Sequence, residues 1–490
     1  MCDKNRMFSC GTVVLLAGLL LAACGSESND LSTQTSHIEA DVTETAAQTE
    51  PAFYDSVPEL NFGGVELRIL QQEQPSYYID EPEATGDVVV DEIVRRNTEL
   101  EDRFNFSFNL IDRGIAYDQV ASQLRNAVNA GEDAYDLIFN QIFNSGSLAA
   151  SGLLRSWTDV PYIDLEQPWY TKSIRKAASV GDRLLMLESD MVLSYASQTW
   201  LMLYNKTDAA ALDLPDLYQI VDDGKWTYDL LYELASDAYS DLNGDGARSD
   251  ADYYGFASTL GDCLLASAFY AGDGRMVSLS DDFTLSYPIV EEHSIDVLTK
   301  MSALFNDNPG AIKKGDALRG TRMGLFPVGN ILFEFMQAGD LLLGQMREME
   351  DEFGVLPMPK YDENQKEHYT LIDGGADIMT IPATATNLEL IGAVVEAGSA
   401  ESYHGLMPIF MNLAMEQKGT RDEESISMLR YVLDSRVVDF AYLYDGTKGF
   451  TFKLNSLIKN PEKMVSTLEK TIKSVDKYYV GLIEEMTSAE

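Results

Sequence analysis

The residue pattern with the clearest chemistry in this chain is Asp241-x-Asn243-x-Asp245-Gly246, closed by Asp252. Oxygen-bearing side chains at positions 1, 3, 5 and 12 of a loop, with glycine at position 6, suit a Ca²⁺ ion, and Ala247 would supply the backbone carbonyl of position 7. A helical pattern precedes the loop, but Tyr253-Tyr254-Gly255-Phe256 after it reads as a strand, so the motif is at most half an EF-hand. Aspartate rather than glutamate at the last position resembles dockerin-type loops. A metal-free turn rich in Asp and Asn is the competing reading. Any ion held here would be structural, and no cofactor is required.

Other reactive patterns are weaker. Acid pairs such as Glu291/Glu292 and Glu423/Glu424 have the residue types of a glycosidase, which sets two carboxyls across a bond. The chain carries 79 Asp and Glu, however, so neighbouring acids are expected on any solvated face. Four histidines (His37, His293, His368 and His404) lie far apart, which argues against a histidine metal centre or triad. Cys263 sits in an apolar Cys-Leu-Leu-Ala run and reads as a buried structural thiol.

A chain of 490 residues, 45% hydrophobic and 23% charged, has room for two or three domains with a sizeable core. Its formal charge of -43 repels phosphate backbones and anionic headgroups, so nucleic acid is excluded as a partner.

Lys4 and Arg6 precede an apolar run over 11–23 that is too short to span a bilayer and ends Leu21-Ala22-Ala23-Cys24. This is the pattern of a secretory signal over 1–23, and its end resembles the lipobox of bacterial lipoproteins, in which the cysteine carries the lipid. Cys24 is then the lipidation site. Cys2 and Cys10 leave with the signal, so no intramolecular disulfide remains. Residues 24–60 are acidic, rich in Ser and Thr, and read as a flexible linker. No later apolar run reaches spanning length.

Beyond the linker, 65–70 alternates as a strand, and Val90, Ile93, Val94, Asn97 and Phe104 mark one apolar helical stripe. A second strand (106–111), a second helix stopped by Gly131 and a third strand (135–140) follow. This order predicts a parallel sheet with right-handed crossovers, whose ligands lie beyond the carboxyl ends of the strands. Gln71, Gln72, Asn140 and Gln141 fall at that rim, where amides also serve as turn and cap residues. The apolar run over 201–206 predicts a buried strand, Trp226 a staple for the helix after it, and Met464 to Leu482 one face of a last helix.

Several short motifs then stand in order. They are Leu203-Tyr204-Asn205-Lys206; Leu212 to Pro215 with Trp226-Thr227-Tyr228-Asp229-Leu230; the Asp241 loop before Tyr254-Gly255-Phe256; Phe353-Gly354-Val355-Leu356-Pro357-Met358-Pro359; and Ile381-Pro382-Ala383-Thr384. In this order, and behind a lipobox, the chain resembles the sugar-binding solute-binding proteins of bacterial ABC importers (family 1) from about Leu60 to the end. The resemblance implies an α/β, two-lobe periplasmic-binding-protein-like fold of type II with a hinge of crossing strands. Lobe 1 is expected over 61–195 and 376–415, and a helix-rich lobe 2 over 196–375 and 416–490. It implies a monomer that captures a small polar solute, a sugar or oligosaccharide, between the lobes and hands it to permease subunits outside the cytoplasmic membrane. No bond is broken in that task.

Where many members carry Gly-Pro-Trp, this chain is aligned at Phe326-Pro327-Val328-Gly329-Asn330, so the stacking tryptophan is missing and Tyr195, Trp200 or Phe333 would replace it. Aromatic faces cover sugar rings while amides take the hydroxyls, which nominates Tyr195, Gln198, Trp200 and Asn330. For Trp200 core packing is an equal reading. Asp373-Gly374 precedes the return strand and would meet the ligand at the second crossing; a plain turn is the alternative. Two other functions stay open: a tethered polysaccharide-degrading enzyme and a ligand reporter for a sensor kinase.

Overall fold

The computed structural model describes residues 53–73, 77–257, 261–312, 325–417, 420–421, 423–444 and 449–488. The signal segment, Cys24 and most of the expected linker lie outside the described residues.

Lobe 1 is built as the periodicity predicts. Strand β1 (Val65–Gln72) leads to α1 (Val88–Phe104), β2 (Phe106–Ile115), α2 (Tyr117–Ala130), β3 (Leu137–Gln141) and α3 (Ile142–Ala149). The Asp87 side chain caps α1 by accepting from Val89 and Val90, and Gly131 ends α2 at φ 72, a conformation that glycine adopts without a Cβ penalty. The buried stripe of α1 is Val89, Ile93, Arg96, Asn97, Leu100 and Phe104. It therefore includes a fully buried arginine that donates to the carbonyls of Ile79 and Met191 and to Ser402.

The short β4 (Leu154–Arg155) completes this side, and the chain then crosses to a second sheet. That sheet holds β5 (Trp200–Asn205), β6 (Tyr254–Ala257), β7 (Ile331–Gln337) and β8 (Phe353–Leu356); β9 (Asp377–Pro382) returns to the first. Strand order is β2-β1-β3-β9-β4 in lobe 1 and β8-β5-β7-β6 in lobe 2. β1 runs parallel to β2 and β3, whereas β9 inserts antiparallel between β3 and β4. All of β5, β7 and β9 is buried, which is why their sequences are apolar runs instead of alternating ones. Trp226 is fully buried, donates to the Pro357 carbonyl (2.9 Å) and packs on Phe333, so it fastens its helix to lobe 2.

Three stretches of backbone cross between the lobes and hydrogen-bond to one another. Trp200 N donates to Leu371 O (3.0 Å) and Asp373 N to Gln198 O (2.9 Å). Thr370 N donates to Ser435 O (3.1 Å) and Val437 N to Thr370 O (2.8 Å), while Ala338 N joins the other edge through Thr199 O (2.9 Å). The result is a narrow ribbon with 337–338 on one edge and 435–437 on the other.

Two segments lie differently from their sequence assignment. The linker expected to run to residue 60 is docked from Phe53: Asp55 forms a buried ion pair with Arg103 (2.7 Å), and that guanidinium lies 3.7 Å from the Phe53 ring centroid. The tail assigned to lobe 2 also engages lobe 1. Tyr444 Oη donates to Ala178 O (2.6 Å), and Arg183 reaches Met486 O (3.4 Å) at the end of the last helix.

Candidate functional site

Strand polarity decides which residues meet at the ribbon. β1 and β3 end there with Gln71, Gln72, Asn140 and Gln141, and β9 begins there with Asp377. In lobe 2, β7 runs antiparallel to β5 with Gln337 opposite Trp200, so the end of β7 reaches the crossing. The turn Asp373-Gly374-Gly375 and Gln198 lie between the two sets.

The carboxylate of Asp377 organises the lobe 1 side. Gln71 Nε2 donates to one oxygen (2.7 Å), Gln72 Nε2 to the other (2.7 Å), and the Asp377 N–H donates to Ser194 Oγ (3.1 Å). Gln71 Oε1 accepts the Ile79 N–H (3.0 Å), so Gln71, buried at 1% exposure, is spent on holding Asp377 and the following loop. Asn140 is likewise fully buried, with Nδ2 on Tyr117 O (3.1 Å). These two amides position the site and do not face it.

The groups that remain half-exposed are Gln141, Asn144, Gln198, Asp373 and Gly375. Asn144 Nδ2 donates to Gln141 Oε1 (3.1 Å). Asp373 Oδ1 accepts the Gly375 N–H (2.9 Å), and its Oδ2 accepts Gln337 Nε2 (2.9 Å), which joins lobe 2 to the crossing. The Cys263 thiol also hydrogen-bonds this carboxylate, which still leaves it acceptor capacity for a solute hydroxyl. Gly374 is packed under the Phe143 ring, which also meets Tyr442 and Phe452 edge-on at 5.1 and 5.0 Å. Amide and carboxylate groups thus share one floor above a packed aromatic layer, and such polar groups bind hydroxyls.

Cys263, at the start of helix α4 (Asp262–Ala271), borders this floor, and burial together with the nearby Asp373 carboxylate pushes its thiol well above the usual range. A thiol so held carries little of the reactive thiolate.

Three of the nominated residues do not face this floor, two because they are buried at the crossing and one because it lies elsewhere. Tyr195 (1% exposed) lies within the buried turn Ser194–Ser197, and Trp200 (3% exposed) opens a strand covered on both faces. Burial drives the Tyr195 hydroxyl pKa far up, with Glu188 and Asp377 adding to it. Asn330 precedes the far end of β7, where its Nδ2 donates to Asp250 O (3.3 Å). Gln337, at the other end of the same strand, takes the place at the crossing; the rule that ligands gather beyond strand ends points to it once the direction of β7 is known.

In the acidic loop, Asp241 accepts the Gly244 and Gly246 N–H groups (both 2.8 Å), and Asp245 accepts that of Ala247 (2.7 Å). Asn243 Oδ1 accepts the Asp245 N–H (2.9 Å), and Asp252 accepts that of Ser249 (2.7 Å). Among the described residues no three Asp, Glu, His or Cys side chains converge as a ready metal cluster.

A cavity of about 500 Å³ opens at the opposite edge of the ribbon, between Tyr170 and Ser173 of lobe 1 and His368, Tyr431, Arg436 and Val437. Burial pushes His368 down to about 4, and its Nδ1 bonds to Met358 O (2.8 Å). Beneath, Arg436 pairs with Glu188 (3.5 Å), and burial pushes Asp190 up to about 7. This cavity has walls in both lobes but none of the amide and carboxylate groups described above.

No protein-family model and no curated protein matches the sequence. Solved structures do match the fold. An ABC substrate-binding protein of Listeria monocytogenes in complex with cycloalternan is 14% identical, with 84% of this chain and 99% of that one aligned at a TM-score of 0.55. A cyclo/maltodextrin-binding protein complexed with maltotetraose is 14% identical over 87% and 98%, at a TM-score of 0.56. UgpB of Mycobacterium tuberculosis, in complex with glycerophosphocholine, is 18% identical over 81% and 98%, at a TM-score of 0.53. The chain has the two-lobe fold of solute-binding proteins. No described helix is long and apolar enough to cross a membrane.

Proposed function

We propose that the chain is the solute-binding subunit of an ABC importer, held outside the cytoplasmic membrane by lipid on Cys24, and that it takes a sugar or oligosaccharide between its lobes. The observation that carries this reading is the ribbon of three crossings with a polar floor beside it: Gln141 from lobe 1 and Gln198 and Asp373 at the crossings, with Asp373 held by the buried Gln337 of lobe 2. Similar folds holding cycloalternan and maltotetraose support the choice of solute.

The mechanism is binding without chemistry. A solute that contacts both rims favours the closed arrangement by its differential affinity for it, and the crossings absorb the rotation. Hydroxyls of the solute donate to Asp373 and the amide oxygens, and the amide N–H groups donate back. With the Asp373 carboxylate on the floor and a chain charge of -43, an anionic solute is disfavoured. The permease then receives the solute unaltered from a monomer.

A thermal-shift screen against sugars, oligosaccharides and peptides tests this. A carbohydrate should raise the melting temperature with its concentration and be recovered intact, because only the folded state binds it. Release of new reducing ends would instead support a degrading enzyme.

A further inference from the structure

We propose that the loop from Asp241 to Asp252 binds one Ca²⁺ ion that fastens the entry of β6 in lobe 2, a role that does not depend on which solute the lobes take. The position of the donors in sequence does not carry this by itself. The independent observation is Asp252: its side chain is fully buried, and one carboxylate oxygen is held by the Ser249 N–H (2.7 Å) inside the loop. Its other oxygen, Oδ1, has neither a hydrogen-bond donor nor solvent. Asp250 Oδ1 is buried in the same state two residues before it. Buried anionic oxygens without donors are costly unless a cation meets them.

The rest of the loop is arranged for such a cation. Gly246 holds φ +74, the turn that position 6 of a Ca²⁺ loop requires. The backbone N–H bonds to Asp241, Asn243 and Asp245 fix those side chains inward over the turn and leave each oxygen a second lone pair. Three carboxylates, an amide oxygen and the Ala247 carbonyl form an all-oxygen set, which selects a hard cation over a transition metal. The side chains do not converge without the ion, so binding draws Asp252 Oδ1 and Asp245 toward Asp241.

The mechanical consequence follows from what the loop joins. Ser240 and Tyr253 exchange both backbone hydrogen bonds (3.0 and 2.9 Å) and close the loop, and Tyr254 then starts β6 opposite Ile331. Arg248 anchors the loop to Pro309 O (3.0 Å) and covers the Tyr239 and Tyr254 rings. An ion here stiffens the end of lobe 2 remote from the crossing.

The test is calorimetric titration of Ca²⁺ into the metal-stripped full chain, with terbium luminescence sensitised by Tyr253 and Tyr254 as a second reading. One ion per chain should bind saturably at or below about millimolar concentration, Ca²⁺ should displace terbium, and the melting temperature should rise. Asp252→Asn and Asp245→Asn should each weaken the ion at least about tenfold, while Glu484→Gln on the last helix should not. Asp245 lies exposed, so Asp245→Asn decides the matter if Asp252→Asn does not fold. Absence of saturable binding, or equal binding by Asp245→Asn, overturns the proposal and leaves a metal-free turn. Neither result depends on solute binding.

Discussion

The Phe143 ring of lobe 1 packs on Gly374 of the return crossing so closely that a methyl group on Gly374 would overlap its ring atoms. The contact couples the lobe to the hinge through a residue without a side chain. Gly374→Ala should therefore destabilise the protein by about 1–3 kcal/mol through overpacking and weaken solute binding. Phe143→Ala in the same chain should restore part of the loss, which chemical denaturation of the two single variants and the double variant would show.

Amides that face the floor and amides that support it should separate by readout. Gln198→Ala should lower solute affinity by about two- to tenfold, the loss of one hydrogen bond at about 0.5–1.5 kcal/mol, with the melting temperature of the free protein nearly unchanged. Asp373→Asn should lower both, since it sets a donor against the Gly375 N–H or Gln337 Nε2. Gln71→Ala should act on stability first, since it removes one of the two amide donors to Asp377. Calorimetry and thermal melting of the three variants together check this.

That distinction also marks how far the sequence could be read. The order β1-α1-β2-α2-β3 was legible because strand alternation, one apolar stripe per helix and the Asp87 and Gly131 caps are local signals. The role of Gln71 was not, because its partner Asp377 lies 306 residues away. The same holds for Asn330 and Gln337: they flank one apolar run, and only the antiparallel pairing of β7 with β5 says which end reaches the crossing. Tyr195 and Trp200 have the residue types of a sugar platform, but both side chains are buried, which residue type alone does not tell.

Asp190 should make the hinge region sensitive to pH. Burial pushes its carboxyl up to about 7, Arg436 opposes the shift, and Glu188 and Asp434 add to it. The folded state holds this proton more tightly than an unfolded Asp of pKa ~3.9 does. Its contribution to stability is therefore complete below pH ~4 and is lost as pH rises through about 7. Asp190→Asn should melt with the wild type near pH 4 and above it near pH 8; a constant difference across that range would contradict the assignment.

The cavity at the far edge of the ribbon should report on closure. Ser173→Trp places a large ring between lobe 1 and the Ser435–Val437 edge, where about 500 Å³ is open. Propping that edge apart swings the opposite edge, with Gln337, inward. Solute should then bind more tightly through slower release, measured by stopped-flow dissociation, since part of the closing cost is already met.

The central claim is that two lobes close on a solute and release it unchanged. Small-angle scattering of the protein during titration with a carbohydrate found in the screen tests it most directly. The account predicts a radius of gyration that falls saturably in step with binding, returns on dialysis, and leaves the carbohydrate chemically intact. Saturated binding with an unchanged radius, or a recovered carbohydrate that has been cleaved, would contradict it.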